Sequence, residues 1–111
     1  MISTSRESHD ADADAEALAT LAEYLELLLD KGKSLILVRN QAESSDVFLG
    51  DAGEPEEEWT RHGKIRNAVA SAVLGVTSSG FNELTIGGQT YRFVRAFTEV
   101  AHHGAVVFSA A

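Results

Sequence analysis

The sequence has no cysteine, one proline, one tryptophan and one methionine in 111 residues. The missing thiols exclude disulfides, thiolate nucleophiles and cysteine-based zinc sites. No run approaches the roughly 18–20 apolar residues a membrane span needs. The N-terminus, MISTSRESHDADADAE, has no apolar core and is not a secretory signal. These features fit a cytoplasmic chain that enters no membrane. Bases are scarce as well, with 9 Lys and Arg against 17 Asp and Glu. Residues 1–60 hold 15 acids and 4 bases, residues 61–111 hold 2 acids and 5 bases. An acidic surplus repels phosphate backbones, which disfavours nucleic-acid binding. The uneven placement suits a molecule that docks a basic partner or pairs with its own copy.

What is present reads as one small α+β domain. Residues 1–11 are polar and are expected to form a tail, with the domain over 12–111. The alternating acids of DADAD suit a helix start, with Asp12 or Asp14 as cap. They lack the Gly and distal Glu of a calcium loop. A first helix is expected over 13–31, with Leu18, Leu21, Ala22, Leu25, Leu28 and Leu29 on one stripe and Tyr24 and Leu27 widening it. Gly32 ends it. SLILVRN (34–40) and DVFLG (46–50) read as a strand hairpin. A second helix is expected over 56–74, from the helical spacing of Trp59, His62, Ile65, Val69 and Val73. Gly63 weakens that helix, and WTRH could be a separate turn before it. After a loop over 77–82, ELTIGGQTYRFV is a hairpin turned at Gly87-Gly88, and AVVFSA is a last strand. The expected architecture is two helices on a mainly antiparallel sheet of about five strands, in the order α-β-β-α-β-β-β. That order is similar to profilin-like and roadblock-like scaffolds, which bind partners or dimerise, but no motif residue is shared. An acidic secretion-type chaperone has a different order of helices and strands.

Chemistry-bearing residues are few. Arg61, His62, Lys64 and Arg66 form the one basic cluster and could hold a small anion, although neighbouring Glu57 and Glu58 would neutralise them on a helix face. The cluster is not a P-loop, having no GK[ST] ending. Trp59 is read as an anchor of the second helix or as an exposed binding hot spot. The pair His102-His103 precedes Gly104, and the three are expected to form a hairpin loop with Gly104 in the left-handed region. A metal site would have to draw on His62, His102 and His103, with His9 and acids, and none shows HExxH or His-x-His spacing. No serine sits in a G-x-S-x-G elbow, and no acid pair looks buried enough for glycosidase chemistry. Arg92 and Arg95 should face opposite sides of their strand. Tyr91, Phe93 and Phe97 share a parity that suits a core better than an RNA-stacking face.

Three functions follow as expectations. The first is a non-enzymatic protein-interaction module that binds a partner or itself and needs no cofactor, with AVVFSAA as an unprotected edge strand. The second is a small-anion-binding domain at 61–66. The third is a histidine-based or metal-dependent enzyme.

Overall fold

The computed structural model describes residues 2–111, with side chains from residue 14 onward. Its elements are helix α1 (Ile2–Lys31), strands β1 (Ser34–Val38), β2 (Ser44–Gly50) and β3 (Thr60–Arg66), helix α2 (Asn67–Gly75), and strands β4 (Gly80–Ile86), β5 (Gln89–Val100) and β6 (His103–Ala110). A 3-10 turn, Glu56–Glu58, precedes β3. The tail expected over 1–11, the cap at Asp12 and His9 all fall outside the described side chains. No helix of the described residues is long and apolar enough to cross a membrane.

The α+β class holds: two helices pack on one antiparallel sheet. The sheet has six strands rather than five, in the order β3-β2-β1-β6-β5-β4. Two three-stranded meanders meet at the central pair β1–β6, and α2 joins one outer strand to the other. The extra strand is β3, which occupies residues expected in the second helix. Only α2, nine residues long, is left of that helix. The likeness in element order to profilin-like and roadblock-like scaffolds rested on one strand fewer and does not carry over.

Side chains alternate cleanly across this sheet. Leu35 and Leu37 of β1, Val47 and Leu49 of β2, Tyr91 and Phe93 of β5, and Val106 and Phe108 of β6 point to the helices and form the main core. Phe93 and Phe108 meet at 5.9 Å between ring centroids. From α1 the buried residues are Ala17, Leu21, Tyr24, Leu25 and Leu28. The stripe is therefore turned slightly from the expected one, and Leu29 is left 54% exposed. Gly32, at φ 64°, ends α1, and Lys33 N–H donates back to the Leu28 carbonyl at 3.2 Å. That is the bond of a Schellman stop, which needs a left-handed residue at this position.

The opposite face carries a second cluster of Ile36, Val38, Val100, Ala105 and Val107, flanked by Phe48 and Trp59. Among the described residues no helix residue belongs to it. β6 is thus central and apolar on both faces, not the edge strand expected from AVVFSAA. Its charge-free run is the signature of a strand covered on both sides. The edges are β3 and β4.

Candidate functional site

The basic segment lies on β3, and one irregularity decides where its side chains go. Val47 pairs with Gly63 but Phe48 pairs with Arg61, so His62 is an extra residue with no cross-strand partner. Such a bulge shifts the alternation by one residue. Ile65 and Gly63 keep the helix-side phase, His62 turns to the edge of the Tyr24 ring at 6.1 Å, and Arg61 turns to the helix-free face. There its guanidinium meets the Asp46 carboxylate at 3.1 Å. Lys64 donates to Gln41 Oε1 at 3.2 Å, and Arg66 pairs with Glu16 of α1 at 3.1 Å. Arg61, His62, Lys64 and Arg66 therefore do not converge on one point. The expected i, i+3 or i, i+4 pairing of Arg61 with Glu58 or Glu57 does not form, because the backbone of β3 is extended. Asp46 takes that role and is held below the usual carboxylate range, first by the hydrogen bond from Asn40 and then by Arg61 and Lys64.

Trp59 packs on Phe48, at 5.7 Å between centroids, and donates its indole N–H to the Asp51 carbonyl at 2.8 Å. It anchors the loop before β3 to the helix-free face, not a helix to the sheet. Gly50 permits this, since a Cβ there would stand 2.4 Å from Trp59 Cδ1. Further along the same face, Phe81 of β4 lies opposite Val94 of β5, and both are exposed.

His102 and His103 are exposed at the β5–β6 turn, but the turn is built differently from the expected three-residue loop. Val100 pairs with His103 and Glu99 with Gly104. The two turning residues are Ala101 at φ 49° and His102 at φ 68°, and Gly104 is ordinary strand. His103 stands on β6, three strands from β3, so more than about 14 Å of sheet separates it from His62. Among the described residues no three His, Asp or Glu side chains gather closely enough to hold a metal ion.

An apolar hollow beside α2 was not legible in the sequence. A cavity of about 400 Å³ lies between α2 and the strand ends of β1, β5 and β6. Its floor and walls include Leu37, Leu74, Phe97 and Val106, with Arg39 and Asn67 as polar margins. Asn67 begins α2 and ties it to the β1–β2 loop. Its amide donates to the Gln41 and Ala42 carbonyls, both at 3.1 Å, and accepts from the Ser45 hydroxyl at 2.6 Å. Beneath Phe97 lies Arg95, only 9% exposed, its guanidinium 5.2 Å from the ring centroid. Arg92 is exposed and pairs with Glu83 at 2.7 Å, so the two arginines do take opposite faces. Arg95 donates to the Leu74 and Thr77 carbonyls and the Thr77 hydroxyl at the end of α2. A cation suits the negative end of a helix. Tyr91 and Phe93 are core, as expected, but Phe97 is 60% exposed and forms the cavity wall.

No family model, curated protein or solved structure matches this chain significantly.

Proposed function

We propose that this chain is a non-enzymatic interaction module that binds another protein, or a second copy of itself, through the helix-free face of its sheet. The reading is carried by Phe81, 62% exposed, with Val94 37% exposed opposite it on the neighbouring strand. An exposed Phe beside an exposed Val on the helix-free face is the makings of a contact patch. Burying the parts of these two side chains that face water contributes a fraction of the roughly 1.5–3 kcal/mol that full burial of each would give. β4 is also an edge, with a free row of backbone groups beside the patch. The anion-binding reading of 61–66 has less support, since Arg61 and Arg66 already hold carboxylates. A cytoplasmic setting belongs to the same proposal and rests on composition.

Sedimentation equilibrium over a concentration series, with capture from native lysate, tests it in the wild type and in Phe81→Asp. Phe81 is exposed, so the variant leaves the core intact. Self-association or a captured protein that is lost in Phe81→Asp supports the reading. A monomer at every concentration whose captured proteins are the same in both forms overturns it.

A further inference from the structure

We propose that the cavity beside α2 binds a small amphipathic carboxylate, with its apolar body inside and its head on Arg39. This site is distinct from the sheet face above and does not depend on it.

The cavity is a consequence of small residues facing one another. α2 presents Asn67, Ala70, Ser71 and Leu74 to it, an i, i+3, i+4, i+7 face. Its other face, with Val69 and Val73, is packed into the core. Ala70 and Ser71 are too short to fill the space above Leu37 and Val106, and Gly104 contributes no side chain. Protein interiors are otherwise close-packed, and a hollow of about 400 Å³ lies within the range of small-molecule sites.

Charge decides which ligand fits. Among the described residues Arg39 is the one ionisable side chain lining the cavity, and no carboxylate lines it. Acids outnumber bases 17 to 9 in this chain, yet among the described residues Arg39 has no ion-pair partner. The Asn67 amide protons are already committed to backbone carbonyls, so Arg39 is the charged group available to receive a head group. A guanidinium matches a carboxylate in a two-pronged geometry. One cation matches one negative charge; a phosphate dianion would call for a second. Phe97 supplies a wall already held in place by Arg95, so closing over a ligand requires little ordering.

The test is titration of the ¹⁵N-labelled protein with octanoate, hexanoate, octanol and octylammonium at neutral pH. Octanoate is expected to shift the amides of 70–74, 97–98 and 104–106 saturably at millimolar concentration. Removing two methylenes should weaken binding about fifteen-fold. Arg39→Gln, at an exposed position, should weaken octanoate about ten-fold and leave octanol unchanged. Ser71→Phe should abolish both by filling the space; if that variant fails to fold, Arg39→Gln decides alone. Absence of saturable shifts, shifts centred on Phe81 and Val94, octylammonium binding as tightly as octanoate, or an Arg39→Gln variant that binds octanoate like the wild type would each overturn the proposal.

Discussion

Arg61 Nη2 rests 3.1 Å from Asp46 Oδ1, although the backbone partner of Asp46 is Lys64 and that of Arg61 is Phe48. The contact exists because His62 is inserted between them. Without the bulge, Arg61 would point toward α1 and His62 toward the helix-free face. One inserted residue thus separates the cations of β3 among different partners.

The first prediction concerns pH. Asp46 is mostly buried and its carboxyl is held below the ordinary range, chiefly by Asn40. A lowered pKa in the folded state means stability that is complete above the unfolded value, about 3.9, and is lost as pH falls through the lower folded value. Asp46→Asn removes that contribution. The stability gap between wild type and variant, measured by urea unfolding, should be constant from pH 7 to about 5 and narrow below about 4.

Gly50 and Trp59 offer a direct optical test. A Cβ at position 50 would lie 2.4 Å from Trp59 Cδ1 and 2.9 Å from Cγ, so Gly50→Ala must displace the ring from Phe48. Overpacking of this kind costs roughly 1–3 kcal/mol. Trp59 is the chain's one tryptophan, so its emission reports on the displacement alone. Gly50→Ala should shift the emission maximum to the red and lower the midpoint of unfolding; Gly53→Ala, in the open loop nearby, should leave the emission unchanged.

These two sites also show what the sequence conceals. The stripe of α1 and the strands around SLILV and the Gly87-Gly88 turn are legible because one local period or one turn dipeptide specifies each. β3 is not, because as an edge strand it buries only Ile65 and has almost no alternation to read. The helical spacing of Val69 and Val73 belongs to α2, and extending it back to Trp59 turns a bulged strand into a helix. Gly63 was the available sign, since a glycine inside a strand often marks a bulge. The cavity depends on Ala70, Ser71 and Gly104 coming together from distant elements, which no local pattern encodes.

Among the described residues Arg95 is the most deeply buried charged residue, and its role is to close the end of α2. Removing it leaves the Thr77 carbonyl without its donor, the Leu74 carbonyl with only the longer bonds from Thr77, and Phe97 without the cation beneath it. Arg95→Met keeps much of the apolar bulk but none of the bonds. It should cost about 2–3 kcal/mol, in line with hydrogen bonds to charged groups, and lower Tm by roughly 10 °C. Arg95→Lys should recover only part of this, because a point charge cannot reach Thr77 and Ser79 together.

The turn between β5 and β6 carries strain that substitution can release. Ala101 and His102 both sit in the left-handed region, at φ 49° and 68°. Such a conformation costs a non-glycine residue roughly 1–2 kcal/mol, and two-residue turns of this kind favour Asn followed by Gly. Ala101→Asn with His102→Gly should therefore stabilise the domain by about 1 kcal/mol and raise Tm by roughly 4–8 °C. Gly104→Ala is the control. Gly104 pairs with Glu99 as regular strand, and a Cβ there meets nothing within 4 Å. Its melting temperature should match the wild type. In a three-residue loop with Gly104 left-handed the pattern would invert, with Gly104→Ala destabilising and the Asn-Gly replacement giving no gain. Paired thermal melts of the two variants therefore separate a histidine that bends the chain from one that merely precedes the bend.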